Sequence, residues 1–297
     1  MRIIIIGASG LVGSSLYSAA KQEGIDVIGT YNTGKSNVLI HYDMRVESLK
    51  SIVPDLRPQD IIYILSAYSN PSWIFDNQDE ARNLNLFATK RLIDEIVNFG
   101  SRIVFMSSVE VFDGELGNYN EESSPRPLNL YGKMKFEIEK YLAEKQTNST
   151  IVRTGWNVGW TYKSRCVVKL TYETLIRPYA KMAKDNVFSI IDVRDTARGL
   201  LEIGKKSSMK ICHLASTPLI FRTELASYIM NFSKYKDRMS YDEGLFSEIP
   251  YSEPRSRLNH LDNSLAVSSL GITFRNPEEI IRQKVDLIDN YITYLKT

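Results

Sequence analysis

The 297-residue sequence contains two cysteines, three histidines and a formal net charge of +2, so it has little of what most often announces a function. So few thiols in so long a chain exclude a disulfide-stapled scaffold and point to a reducing compartment. Cys166 and Cys212 are read as packing residues. His41, His213 and His260 lack the spacing of zinc ligands, and no metal is expected. A nearly balanced charge gives no field to draw in nucleic acid or an acidic membrane surface, and neither is expected as a partner. Long apolar runs are missing too. The first, Ile3 to Ile6, is far shorter than the roughly 20 residues of a membrane span and leads straight into glycines, so a cytoplasmic location is expected. What remains, 43% hydrophobic and 24% charged, is the composition of an ordinary globular protein.

The chain opens with Met1-Arg2-Ile3-Ile4-Ile5-Ile6, β-branched and apolar on both faces, as a central parallel strand reads when helices cover both sides of its sheet. Apolar residues at helical spacing follow from Leu11 to Glu23, Gly24 supplies a stop, and Asp26 to Thr30 makes a second strand. The alternation continues with strands at Ile61–Ser66, Arg102–Ser107 and Thr150–Arg153 and helices at Glu80–Phe99 and Leu130–Glu144. This order predicts an α/β protein with a Rossmann-type, doubly wound parallel sheet over residues 1–154. Val187–Val193 and Lys210–Leu214 are expected to return to that domain as strands. Residues 155–186 and 216–297, ending in the helix Pro277–Tyr294, are expected to form a smaller substrate lobe.

Gly7-Ala8-Ser9-Gly10-Leu11-Val12-Gly13 lies between the first strand and the first helix. There, glycines let the backbone turn tightly and approach a pyrophosphate, whose charge is favoured by free N–H groups at the helix start. A tight turn with a close helix contact is the plainer alternative. The second strand should end in a carboxylate if it holds the ribose of NAD. Here it runs into Thr30, Asn32 and Lys35 instead, a set able to accept the 2′-phosphate of NADP, so NADP(H) is favoured with NAD(H) as the alternative. Asp43 and Met44 follow a short apolar segment and could flank an adenine. Ser66, Ala67 and Tyr68 end another strand on the side of the sheet where ligands bind.

Tyr131 and Lys135 are four residues apart on a predicted helix and so share a face. An ammonium beside a phenol stabilises the phenolate, which makes Tyr131 a candidate general acid for a carbonyl under reduction. Ser108, just past the strand Arg102–Ser107, is placed to hydrogen-bond the carbonyl oxygen, with Ser107 as the competing choice.

Together these features resemble the extended short-chain dehydrogenase/reductases, with their G-x-x-G-x-x-G loop and Tyr-x-x-x-Lys pair. Within them the chain is most similar to the dTDP-4-dehydrorhamnose reductase-like family. Phe105 to Gly114 resembles an S-T-D-Y-V-F-D-G segment, Pro125 to Lys133 resembles P-x-P-L-N-x-Y-G-K, and Val152 to Trp156 resembles an R-T-S-W stretch. Glu253 to Arg257, running on to Leu261 to Ser264, resembles A-P-R-P-R…L-D-N-S. The resemblance implies NAD(P)H-dependent reduction of the 4-keto group of a nucleotide-linked deoxysugar, with Ser108, Tyr131 and Lys135 in the roles above and Trp156 and Arg255 against the substrate. Where the family segment has Asp-Tyr, this chain has Val109-Glu110, which alters the wall facing the sugar. Nucleotide-sugar dehydratases carry a Glu at this position relative to the hydroxyl residue. Glu110 is therefore either a base toward the sugar or a solvated strand-end charge. Two other functions follow from these readings: a dehydratase or epimerase with tightly held NAD, and a non-catalytic dinucleotide-binding subunit. A homodimer is left open.

Overall fold

The computed structural model describes residues 1–145, 148–161, 164–206 and 209–294. Residues 162, 163 and 295–297 of the expected lobe lie outside the described residues. Strands β1 (Arg2–Ile6), β2 (Asp26–Tyr31), β3 (Ile40–His41), β4 (Ile61–Ile64), β5 (Arg102–Met106) and β6 (Ser149–Thr154) join the strand Ile211–Leu214 in one seven-stranded sheet. All its pairings are parallel, in the order 211–214, β6, β5, β4, β1, β2, β3. Alternate side chains of β1 enter separate cores. Ile3 and Ile5 pack with Leu16 of helix α1 (Leu11–Gln22) and Leu200 of the helix Val193–Lys205, whereas Ile4 and Ile6 pack with Leu92 and Ile96. Burial on both faces is why this strand carries an unbroken isoleucine run. The sheet order reverses between β1 and β4, and that crevice is where such sheets bind ligands.

The predicted helix at Glu80–Phe99 starts two residues earlier, at Gln78, and widens into a π-helical stretch at Asn83–Ala88 before closing at Gly100. The wide turn carries Asn85, whose amide accepts from Tyr68 N–H at 2.9 Å and donates to Tyr68 O at 2.8 Å. The segment beyond β4 is thereby fixed along the crevice. π-Turns commonly appear at such functional positions.

Val187–Val193 does not return to the large sheet. It splits into Val187–Phe188, which pairs with Ile220–Phe221 and Leu258–Asn259, and Ile190–Asp192, which pairs with Trp156–Val158. Between the pieces, buried Ser189 donates its N–H to Asn259 O and accepts Trp156 N–H, and its hydroxyl accepts Leu261 N–H. The place beside β6 is taken by Ile211–Leu214. Helices Val167–Leu175, Arg222–Phe232 and Pro277–Tyr294 close the lobe over a core containing Val168, Tyr172, Ile229, Ile281 and Val285. Cys166 and Cys212 are both buried. Among the described residues, no helix is long and apolar enough to cross a membrane, and no group of three or more His, Cys, Asp or Glu could hold a metal ion.

Candidate active site

A cleft of about 1030 Å³ runs along the carboxyl edge of the sheet, bordered by Gly7, Gly10, Leu11, Val12 and Gly13 at one end and by Trp156 and Arg255 at the other. Two glycines of the loop are sterically obligatory. Gly7 has φ +91°, in the left-handed region. A Cβ on Gly13 would lie 2.1 Å from Gly7 O. Gly10 caps α1 with no side-chain hydrogen bond, so the first-turn N–H groups are left for a ligand. This cradle, which a Cβ would fill, fits a dinucleotide pyrophosphate.

The middle of the cleft holds Ser108, Tyr131 and Lys135. Helix Leu130–Glu144 starts where Asn129 accepts Gly132 N–H at 2.9 Å, a side-chain cap of the kind that fixes helix entry. Its first turn sits tight against the segment after β5, and a Cβ on Gly132 would lie 2.0 Å from Glu110 O. The two serines separate by their partners. Ser107 is buried and donates to Glu139 Oε1 at 2.5 Å. Ser108 Oγ accepts Glu110 N–H at 3.2 Å and borders the cleft beside Tyr131. Lys135 Nζ donates to Met106 O at 2.7 Å and lies 5.8 Å from the Tyr131 ring centroid. Burial lowers the Lys135 ammonium to about 8 against the opposing pull of Glu139. Burial and the charge of Glu110 together push the Tyr131 phenol well above its ordinary range, and the neighbouring Ser108 hydroxyl works the other way. In the ligand-free arrangement the phenol is thus held as an acid.

Glu110 is not a solvated charge. It is 6% exposed, and its carboxylate accepts Asn129 Nδ2 at 2.7 Å and Asn259 Nδ2 at 2.9 Å. It also borders a second cavity of about 290 Å³ in the lobe, which shares Trp156 and Arg255 with the cleft and adds Phe188, Arg222 and Tyr251. Arg255 pairs with Glu253 and donates to Ser72 Oγ at 3.2 Å, while its Nε has no partner. Val109 is buried beside Glu110 and borders the cleft.

Ala67 and Tyr68 border the cleft, and Ser66 packs against Gly7. The remaining sequence candidates spread around the β2 edge. Thr30 is buried, accepting Gly7 N–H at 3.1 Å and donating to Ile5 O at 3.3 Å, so its hydroxyl braces the glycine turn. Ser9 and Lys35 are exposed and Asn32 is half-buried. Asp43 is engaged by Arg45 at 2.8 Å, and Met44 is buried in the core. Asn129, Asn259, Asn85 and Arg222 are the positions that sequence reasoning missed. Of these only Asn129 carried a local signal, as a capping residue directly before an apolar-periodic helix.

The curated protein "Methionine adenosyltransferase 2 subunit beta" of Xenopus tropicalis is 31% identical over 153 residues, covering 51% of this chain and 46% of that relative. The chain therefore spans about half the length of the curated relatives it matches first. A dTDP-4-dehydrorhamnose reductase of Aggregatibacter actinomycetemcomitans is 26% identical over 206 residues, 69% of this chain and 68% of that protein. The solved structure of a dTDP-4-dehydrorhamnose reductase from Bacillus anthracis in complex with NADP is 20% identical, covers 100% of this chain and 99% of its own, and superposes with a TM-score of 0.77. Residues 1–289 match the family model described as the RmlD substrate binding domain, and the chain belongs to that family.

Proposed function

We propose that this protein reduces the 4-keto group of a nucleotide-linked deoxysugar, with bound NADPH supplying the hydride. The observation that carries this reading is the single cleft joining the glycine cradle to Ser108, Tyr131 and Lys135 and abutting the lobe cavity. Ser108 orients the carbonyl oxygen by a hydrogen bond, and Tyr131 donates its phenolic proton to that oxygen as the alcohol forms. Lys135 holds the nicotinamide ribose from the floor of the cleft and, in its ammonium form, stabilises the phenolate left behind. In the lobe cavity, Arg222 and Arg255 provide charge for a diphosphate, and Trp156, Phe188 and Tyr251 provide faces for a base. The absence of a carboxylate after β2, with Asn32 and Lys35 nearby, supports NADPH over NADH, and the Bacillus anthracis relative was solved with NADP. Loss of reduced-nicotinamide absorbance with dTDP-4-dehydrorhamnose and related nucleotide-linked 4-keto sugars tests the reading. No sugar-dependent loss with any of them would end it.

A second reading, a non-catalytic dinucleotide-binding subunit, is favoured by the similarity to proteins named as methionine adenosyltransferase subunits. It requires NADPH binding without sugar-dependent turnover, together with co-elution with a methionine adenosyltransferase. The dehydratase or epimerase reading fares worse, because no carboxylate directly follows β2 to hold the ribose of a tightly bound NAD.

A further inference from the structure

We propose that Glu253 is an internal competitor for the substrate's phosphate: in the ligand-free protein its carboxylate occupies Arg255, and a nucleoside diphosphate entering the lobe cavity must exchange with it. The inference rests on the reading of that cavity as a nucleotide-sugar site. Among the described residues, the cations on its wall are Lys181, Arg222 and Arg255. Lys181 is bound to Glu248 at 2.7 Å. Arg222 has no carboxylate partner among the described residues. It donates to Asn186 Oδ1 at 3.3 Å and Thr171 Oγ1 at 3.4 Å and lies 4.5 Å from the Phe188 ring centroid. A diphosphate carries more than one negative charge, so Arg222 alone leaves it short of a counter-charge.

Arg255 is the cation able to complete the set, since it borders both the cleft and the cavity and its buried Nε has no partner. Glu253 holds it. Oε1 accepts an Arg255 terminal nitrogen and, at 3.3 Å, Ser72 Oγ, and Oε2 accepts Ser252 Oγ. The backbone on either side of Arg255 is tied down separately, because Pro254 O accepts Asn129 Nδ2 at 3.3 Å and Ser256 Oγ donates to Phe112 O at 2.9 Å. The exchange is therefore one of partners on a guanidinium whose chain stays in place. In the native protein a phosphate gains Arg255 only by giving up the Glu253 contact and by setting its own charge beside that carboxylate. Removing the carboxylate leaves a largely buried cation uncompensated, which a phosphate then satisfies without loss. The resembling family stretch has alanine where this chain has Glu253, so the competitor is a property of this chain.

The test is calorimetric titration of the full chain with dTDP and, in parallel, UDP. Glu253→Gln, nearly isosteric and still able to accept from Ser72 and Ser252, should bind the nucleoside diphosphate on the order of tenfold more tightly than the native protein. Adding Arg255→Met to that variant should return the affinity to the native level or below, because the gain is made through the freed guanidinium. Glu253→Ala, which restores the family residue, serves if the glutamine variant does not fold. An affinity unchanged or weakened by loss of the carboxylate would overturn the proposal, as would a gain that survives Arg255→Met. In either case native binding of dTDP or UDP leaves the nucleotide-sugar reading standing. Absence of binding in the native protein and the variants alike would end that reading and the proposal together.

Discussion

The helix Leu130–Glu144 meets a buried carboxylate at its start and another two turns further in, and the two are balanced by different chemistry. Glu139 is gripped by Arg153 through Nε at 3.0 Å and a terminal guanidinium nitrogen at 2.7 Å, with Ser107 on one oxygen. Glu110 is held by two neutral amides. A carboxylate paired with a guanidinium is a near-neutral unit that ties β5, the helix and β6 together. Behind it, His213 lies 3.4 Å from Arg153 and is driven down to about 3 by burial and that positive charge, so it adds no proton. A carboxylate held by amides keeps its field. The first arrangement braces the fold and the second leaves a charge on the wall of the two cavities, so mutation should separate their effects.

The largest effect is expected at the phenol itself. Tyr131→Phe should lower the rate by on the order of 10²- to 10⁴-fold, the usual worth of a positioned acid, with thermal unfolding little changed. Next comes the brace. Glu139→Gln strands the buried Arg153 guanidinium and should cost about 3–5 kcal/mol in denaturant unfolding. Glu110→Gln strands no opposite charge, and its cost should stay within the roughly 1–3 kcal/mol of disturbed buried hydrogen bonds. A costlier Glu110→Gln would break the distinction between the two sites.

Lys135 lies between the two regions, and its titration sharpens the comparison. Its folded-state value of about 8 is below the ordinary 10.5, so between these pH values the unfolded chain holds a proton that the folded chain has released. Stability of the ligand-free protein should therefore rise with pH across that window, by up to about 1.4 kcal/mol per unit from this group. In unfolding measured from pH 8 to 10.5, the native protein should gain stability with pH relative to Lys135→Met, by up to that slope. An equal slope in both would show that the ammonium carries no such burial penalty.

How far these sites were legible follows from how local their signals are. The isoleucines of β1, the glycines after it and the helix of Tyr131 and Lys135 are each specified within a short stretch, by burial on both faces, by sterics at Gly7 and Gly13, and by 3.6-residue spacing. The choice between Ser107 and Ser108 was not local, because it turns on Glu139, 32 residues away along the chain. Glu110 reads as a solvated strand-end charge only until Asn259 arrives from 149 residues further along. The lobe strands fail for the same reason. Val187–Phe188 is two residues long and takes its partners from Ile220–Phe221 and Leu258–Asn259, so no run of alternating side chains marks it.

The smallest expected effect isolates the amide that holds Glu110 from the helix cap made by the same side chain. Asn129 performs both tasks, since its Oδ1 accepts Gly132 N–H and its Nδ2 donates to Glu110. Asn129→Ser keeps a capping oxygen and loses the amide donor, whereas Asn129→Ala loses both. The alanine variant should be less stable than the serine variant by about 1 kcal/mol, the worth of a cap. The serine variant should fall below the native protein by about 1 kcal/mol for the lost bond to the carboxylate. The serine change should also leave Glu139 and Arg153 untouched, so combining it with Glu139→Gln should give additive losses in denaturant unfolding. Strong non-additivity would mean that the two carboxylates are coupled through the helix and that the field of Glu110 cannot be treated apart from the brace behind it.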